Sequence, residues 1–146
     1  MIIQANGFRY KGLGILLMGP PGIGKTGLML EAIQNGAELI GDDGVLLSSL
    51  ENQIMMAPVP ATKGLVELRG LGIIQMECCG LAKVDLILSA VKKVDVLAQE
   101  NCYQQLLDQR IPVHQMLMDP YSFVRLTYFL EQYDHEHGLS HLAQKY

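Results

Sequence analysis

Apolar residues along this chain fall in short runs that glycine, proline and charged residues interrupt. The run from Leu13 to Met18 is almost continuously apolar, which is typical of a strand buried on both faces. Similar runs predict further strands, two of which flank a turn at Glu51-Asn52-Gln53. These strands are expected at residues 37–40, 45–49, 54–57, 73–76, 84–88 and 113–118.

Helical spacing of apolar residues occurs in fewer places. The segment from Thr26 to Asn35 has an apolar face and is followed by Gly36, a frequent helix stop. A second helix is predicted from Ala98 to Gln109, and a third from Ser122 to about Glu136. Strands that alternate with few helices indicate an α/β domain with a mixed sheet and flanking helices.

One segment between the first predicted strand and the first predicted helix satisfies the phosphate-loop (Walker A) pattern G-x-x-x-x-G-K-[ST] at every fixed position. In such a loop, glycines allow backbone N–H groups to surround phosphate oxygens, the lysine reaches the terminal phosphates and the hydroxyl ligates Mg²⁺. A helix N-terminus after the loop adds a favourable dipole for anions. The chain is therefore expected to bind a nucleotide or another polyphosphate. The matching residues are Gly19, Pro20, Pro21, Gly22, Ile23, Gly24, Lys25 and Thr26.

Composition narrows the possible functions. The 146 residues suit one domain, and a hydrophobic fraction of 49% with 18% charged residues is an ordinary globular balance. A net charge of −4 disfavours nucleic-acid binding, and no apolar run approaches the roughly 18 residues of a membrane span. The N-terminus lacks the features of a signal peptide. Three cysteines, with Cys78 and Cys79 adjacent, favour reduced thiols in the cytoplasm over a disulfide scaffold or a zinc site.

Phosphoryl transfer also needs carboxylates for the metal and for the acceptor. Asp42 and Asp43 follow a predicted strand, where they can serve a Mg²⁺–phosphate cluster, although Gly-Asp-Asp-Gly is also good chemistry for a solvated turn. If a strand runs through Glu67 and Arg69, their side chains face the same way and can converge on one site. The same spacing also suits a surface ion pair of little consequence for stability.

Three segments together resemble the HPr kinase/phosphorylase family: the phosphate loop, Gly-Ala-Glu-Leu-Ile-Gly-Asp-Asp at 36–43, and Val-Glu-Leu-Arg-Gly-Leu-Gly-Ile-Ile at 66–74. The last segment is the most specific. The resemblance extends over nearly all of residues 1–146 and corresponds to a single catalytic domain, without the N-terminal domain of longer members. It implies a phosphate-loop fold akin to phosphoenolpyruvate carboxykinase. It also implies a homohexamer that phosphorylates a serine of HPr, the phosphocarrier of the bacterial sugar phosphotransferase system.

The resemblance implies a role for each matching position. Residues 19–26 would bind the phosphates of ATP, or pyrophosphate, with Lys25 at the terminal phosphates. Thr26 and Glu67 would ligate Mg²⁺. Either Asp42 or Asp43 would take the serine proton, and both stay candidates. The signature segment at 66–75, which contains Arg69, would serve both directions of the reaction, and Arg69 can neutralise charge on the transferred phosphoryl group.

Three positions depart from the family pattern. Gln4 stands where the family has a functional histidine, and Val96 stands where it has an arginine. Met118-Asp119-Pro120-Tyr121 aligns with a Pro-Gly-Arg loop associated with dephosphorylation. Glutamine cannot carry a proton as imidazole does, and valine cannot neutralise phosphate. The sequence therefore predicts a kinase whose phosphorylase activity is weakened or lost.

The resulting prediction is a cytoplasmic bacterial protein-serine kinase that uses ATP and Mg²⁺ and acts on HPr or a paralogue. Two alternatives remain open. One is a small-molecule kinase or generic phosphate-loop NTPase, although no arginine-rich lid segment is recognisable. The other is a regulatory module that binds nucleotide without transferring phosphate, which the departures at Gln4 and Val96 favour.

Overall fold

The computed structural model describes residues 1–96 and 102–137, the last three by their backbone alone. The α-helices are α1 (Lys25–Gln34) and α2 (Ser122–His137), and a short 3₁₀ helix spans Pro60–Thr62. The strands are β1 (Ile2–Ile3), β2 (Asn6–Tyr10), β3 (Leu13–Met18), β4 (Glu38–Gly41), β5 (Val45–Leu50), β6 (Gln53–Ala57), β7 (Leu65–Leu68), β8 (Gly72–Gln75), β9 (Ala82–Lys83), β10 (Leu86–Val91), β11 (Tyr103–Leu106) and β12 (Gln109–Leu117).

The largest sheet is mixed and has the order β11-β12-β10-β3-β2-β4. Strands β3, β10 and β12 are parallel, whereas β2 runs antiparallel to both β3 and β4. The carboxyl ends of β3, β4, β10 and β12 therefore meet at one edge. A second sheet has the order β1-β5-β6-β9, and β7 and β8 form a separate hairpin.

Alternation along the central strands sorts the core into two layers. On β3, Ile15 and Leu17 face a cluster that includes Leu28 and Met29 of α1 and Leu126 of α2. Leu16, between them, faces the opposite cluster, which the second sheet covers with residues such as Val45, Leu47, Ile54 and Met56. This is the two-residue period of a strand buried on both faces. The helices thus lie on one face of the large sheet, and the other face is covered by a sheet.

Most predicted elements are confirmed with shifts of one or two residues at their ends, the usual uncertainty in boundaries. Two strands differ more, since β10 ends three residues later than predicted and β12 begins four residues earlier. The strand predicted at 13–18 has the bounds of β3, and the first and last helices correspond to α1 and α2. The sequence prediction missed β2 and the short strands β1 and β9.

The helix predicted from Ala98 to Gln109 is wrong over its described part, because Tyr103–Leu106 is strand β11; residues 98–101 lie outside the described residues. Leu106 pairs with Gln109, so two residues connect β11 to β12. Leu107 in that connection has φ 52°, in the left-handed region that tight hairpin turns use. Within the strand, Leu106 is buried and residues 103–105 are exposed.

Within the described residues, Cys78, Cys79 and Cys102 form no disulfide bond. Neither helix in the described ranges has the length and apolar character needed to cross a bilayer.

Candidate active site

The predicted phosphate loop lies at the carboxyl end of β3 and leads directly into α1. Gly22 and Gly24 have φ values of 81° and 111°, which side chains with a Cβ rarely adopt. Gly19 is constrained by contact as well, because a Cβ there would lie 2.9 Å from the carbonyl oxygen of Ala90. The loop therefore needs glycine at all three positions, and its backbone turns tightly before the helix N-terminus, where anions are favoured.

Lys25 is the first residue of α1 and folds back over this loop. Its Nζ donates hydrogen bonds to the carbonyl oxygens of Gly19 at 2.5 Å and Pro20 at 3.0 Å. The ammonium group is thus held at the mouth of the loop, where it can meet the terminal phosphates of a bound polyphosphate.

Asp42 forms the centre of the site. Directly after β4, it lies at the same edge of the sheet as the phosphate loop, and its Oδ1 accepts a hydrogen bond from the Thr26 hydroxyl at 2.9 Å. The same oxygen accepts from Asn6 Nδ2 at 2.7 Å, and Oδ2 accepts from the backbone N–H of Glu67 at 3.0 Å. Donors from β2, α1 and β7 therefore fix one carboxylate beside the hydroxyl of the phosphate loop.

Asn6 is a site residue that the sequence reasoning missed. Its side chain is 1% exposed at the start of β2, and Nδ2 also lies 3.4 Å from Thr26 Oγ1 and 3.9 Å from Met29 Sδ. Because the amide carries two N–H groups, it can hold Asp42 and face Thr26 at once. In the sequence, the one indication of its role is that a polar asparagine stands between Ala5 and Gly7, in a segment that forms a buried strand.

Asp43 has a different setting from Asp42. It is exposed and has φ 62°, the left-handed conformation that aspartate tolerates in turns. Gly41, at the start of the same turn, is crowded, since a Cβ there would lie 2.2 Å from the carbonyl oxygen of Gly44. The turn chemistry of Gly-Asp-Asp-Gly thus describes Asp43, whereas Asp42 contacts Thr26 of the predicted phosphate loop.

Glu67 and Arg69 do not share a strand face, contrary to the sequence expectation. Strand β7 ends at Leu68, so Arg69 lies in the turn that leads to β8. Both side chains are exposed, and among the described residues no ion pair joins them. Glu67 still reaches the site through its backbone, which binds Asp42.

The three departures from the family pattern also have defined positions. Gln4 is exposed between β1 and β2, and Val96 is 73% exposed. In the 118–121 loop, Asp119 accepts a hydrogen bond from Arg125 Nη2 at 2.8 Å and another from the backbone N–H of Tyr121 at 2.7 Å. These bonds hold the pKa of Asp119 below its ordinary value. The loop thus presents a paired carboxylate.

The donor set suits magnesium held jointly with phosphate. Hard oxygen ligands are what Mg²⁺ prefers, and it commonly takes only one or two protein ligands plus phosphate oxygens. The Thr26 hydroxyl and the Asp42 carboxylate fit that description. Within the described residues, no group of three His, Cys, Asp or Glu side chains is close enough to hold a metal on its own.

Comparison with known proteins identifies the family to which the chain belongs. The model described as "HPr Serine kinase C-terminal domain" matches residues 8–121, well over half of the chain. The chain belongs to this family. An HPr kinase/phosphorylase from Malacoplasma penetrans is 33% identical to 81% of the chain, and one from Lachnoclostridium phytofermentans is 31% identical to 75% of it. The chain spans only 44% and 40% of those two relatives.

A solved structure agrees with the fold. The structure titled HPr(Ser) kinase/phosphatase, from Coxiella burnetii, matches with a TM-score of 0.75 at 24% sequence identity. The match covers 95% of this chain and 98% of that one. This domain of the HPr kinase family therefore has the same mixed α/β architecture as a solved protein, including few helices and a mixed sheet.

Proposed function

We propose that this chain is the catalytic domain of an ATP- and Mg²⁺-dependent protein-serine kinase that acts on HPr or a similar phosphocarrier. The observation that carries the proposal is the contact between Asp42 and Thr26 at the end of the phosphate loop. Membership of the HPr kinase family supports HPr as the class of acceptor. We extend the proposal to the family's phosphoenolpyruvate-carboxykinase-like fold type, to a homohexameric assembly, to a cytoplasmic location and to residues 1–146 acting as one domain.

In the proposed mechanism, backbone N–H groups of residues 19–26 and the Lys25 ammonium bind the phosphates of ATP. Thr26 and Asp42 would hold Mg²⁺, with the exposed Glu67 carboxylate as a further candidate, and the ion would supply positive charge to offset that of the phosphates. The serine oxygen of the acceptor forms a bond to the γ-phosphorus as the bond to the bridging oxygen of ADP breaks. The serine proton passes to the carboxylate of Asp42 or Asp43, both of which stay candidates for the base, and that carboxylate aligns the hydroxyl during the transfer.

Of the two adjacent acids, we assign Asp42 to the reaction centre. It is fixed there by Thr26, Asn6 and the Glu67 backbone, and a fixed group costs little to orient during the reaction. Asp43 occupies an exposed turn one residue further on. Arg69, also exposed, lies on the β7–β8 turn, from which its guanidinium can approach the acceptor or the transferred phosphate.

The experiment that tests this proposal is phosphate transfer to purified HPr, followed by intact-mass spectrometry. We expect one added phosphate on a serine with ATP and Mg²⁺, and no addition with the Lys25→Ala variant. A protein that binds ATP but phosphorylates no HPr-like carrier would contradict the kinase assignment. Transfer to a small molecule instead would favour the small-molecule kinase.

The reverse reaction is proposed to be weak. Gln4 and Val96 replace a proton-carrying side chain and a cation, and the carboxylate of Asp119 is paired with Arg125 in the loop that replaces Pro-Gly-Arg. When phosphoserine-HPr is incubated with inorganic phosphate, we expect little pyrophosphate to form. Efficient pyrophosphate release would overturn this part of the proposal while leaving the kinase assignment intact.

The same two departures favour one alternative, a regulatory module that binds nucleotide without transfer. This alternative predicts ATP binding that is sensitive to Lys25→Ala, together with complete absence of HPr labelling. The kinase predicts that both binding and labelling are lost in that variant.

A further inference from the structure

A groove of about 240 Å³ lies between α1 and the segment that connects β12 to α2. It shares Ile23 and Gly24 with the phosphate loop, so a molecule whose phosphates bind the loop can extend into it. Pockets for whole drug-sized ligands measure about 300–1,000 Å³. This groove therefore fits a part of a nucleotide.

The walls suit a flat ring. Gly27, on the α1 side, has open space around it, because a Cβ there would meet no atom within 4 Å. The helix thus presents bare backbone to the groove, and a ring can lie close to it. The apolar part of the lining, suited to the faces of an aromatic base, consists of Ile23, Leu28, Met118 and Phe123.

The charge of the groove argues against a phosphate inside it. Glu31 and Asp119 both line it. Asp119 is engaged by Arg125 and by the Tyr121 backbone. Glu31 is exposed, and in the described part of the chain its carboxylate has no hydrogen-bond or ion-pair partner. A free carboxylate at the rim repels anions and accepts hydrogen bonds from amino groups.

We propose that this groove takes the nucleobase of the nucleotide whose phosphates bind residues 19–26, and that Glu31 accepts a hydrogen bond from an exocyclic amino group of the base. The inference rests on the proposed phosphate site and extends it to base recognition. It assigns to the chain a preference for amino-bearing bases, such as adenine, over hypoxanthine, which presents an oxygen at that position.

The first test compares ATP with inorganic pyrophosphate, which has no base. The variant Gly27→Leu fills the groove, and its matched control Gly27→Ala adds only one methyl group on the same helix. We expect Gly27→Leu to weaken ATP binding about tenfold or more, with pyrophosphate binding changed less than about twofold. Gly27→Ala should leave both within about threefold. Circular dichroism checks that each variant is folded.

The second test uses a surface position that does not threaten folding. We expect wild-type protein to bind ATP more tightly than ITP, and Glu31→Gln to reduce that ratio several-fold. Equal losses of ATP and pyrophosphate binding in Gly27→Leu, or an ATP/ITP ratio that Glu31→Gln leaves unchanged, would overturn the base-binding proposal. If wild-type protein binds neither ATP nor pyrophosphate, the proposed phosphate site is wrong, a result that differs from failure of the base-binding proposal alone.

Discussion

At the residue scale, the candidate chemistry depends on one carboxylate that three elements hold. Asp42 receives hydrogen bonds from the Asn6 amide, the Thr26 hydroxyl and the Glu67 backbone. Each donor lies far away in sequence, so the arrangement exists only in the folded chain. Asp43, the adjacent acid, receives no comparable support and sits in an exposed turn.

This difference predicts unequal effects of two similar substitutions. We expect Asp42→Ala to lower the rate of phosphate transfer to HPr about a hundredfold or more, the range typical of a lost acid–base or metal-binding group. Asp43→Ala should lower it less than about tenfold. The measurement is the initial transfer rate at saturating ATP, and a larger loss in Asp43→Ala would exchange the roles of the two acids.

Asn6 provides a second prediction, for a positioning residue. Asn6→Ala removes the amide that donates to Asp42 and leaves a buried site short of a donor, at a cost in stability of about 1–3 kcal/mol. We expect the Mg²⁺ concentration needed for half-maximal pyrophosphate binding to rise several-fold. Asn35→Ala, which removes a hydrogen bond from a side-chain amide to the Glu31 carbonyl oxygen outside the site, is the matched control. An unchanged Mg²⁺ requirement in Asn6→Ala would mean that Asn6 is purely structural.

At the element scale, the β7–β8 hairpin contacts the candidate site through its backbone. Val66 is completely buried and anchors the hairpin, while Leu71 and Ile73 are 71% and 72% exposed. Glu67, next to the anchor, donates its N–H to Asp42. The hairpin is thus held at its base by Val66 and exposed toward its tip.

Weaker packing of Val66 should destabilise the hairpin and displace the Glu67 backbone that binds Asp42. We expect Val66→Ala to lower the free energy of unfolding by roughly 1–2 kcal/mol, from the two buried methyl groups it removes, and also to slow phosphate transfer. Ile73→Ser, on the exposed part of the same hairpin, should change stability by less than about 0.5 kcal/mol. Urea unfolding measures the first effect. If Val66→Ala loses stability but transfers phosphate at the normal rate, the hairpin does not position Asp42.

At the scale of the whole molecule, Asp85 links the two large sheets. It lies between β9 of the four-stranded sheet and β10 of the six-stranded sheet. Its Oδ2 accepts a hydrogen bond from the backbone N–H of Gly14 in β3 at 2.8 Å, and its own N–H donates to the Gly14 carbonyl oxygen. Burial raises the pKa of Asp85 above 3.8, and the Gly14 bond and the charges of Lys83 and Arg9 only partly offset it.

A raised pKa in the folded state predicts a pH dependence of known sign. The contribution of Asp85 to stability is greatest below pH 3.8 and is lost as the pH rises through its raised pKa. Asp85→Asn should remove this loss, so that the variant is as stable as wild type or more stable at pH 7. Asp119, whose pKa is lowered, acts oppositely: its contribution is present above pH 3.8 and is lost as the pH falls.

Urea unfolding between pH 3 and pH 7 on both variants tests these signs. Relative to wild type, Asp85→Asn should gain stability as the pH rises, and Asp119→Asn should lose it. The opposite slope in either variant would contradict the electrostatic account of that residue.

The pattern of neighbouring residues was sufficient to predict β3, α1 and α2. Phosphate binding by the loop between β3 and α1 stays a prediction. Neighbouring residues were insufficient to predict strands that form because segments distant in sequence pair with them. Strand β2, with its mixed apolar and polar residues, forms because β3 and β4 pair with it on either side, and Asn6 becomes a site residue only as a result. The expected strand position of Arg69 was wrong, because β7 ends one residue before it. The helix predicted over β11 was wrong because this segment pairs with β12 through a two-residue turn.

The most direct test of the central claim is a double-mutant cycle on Mg²⁺-dependent pyrophosphate binding, with wild type, Thr26→Ala, Asp42→Ala and the double variant measured by calorimetry. If Thr26 and Asp42 form one magnesium–polyphosphate site, each single substitution weakens binding strongly and the double substitution weakens it little further. Losses that simply add, or pyrophosphate binding that neither substitution changes, would contradict the account.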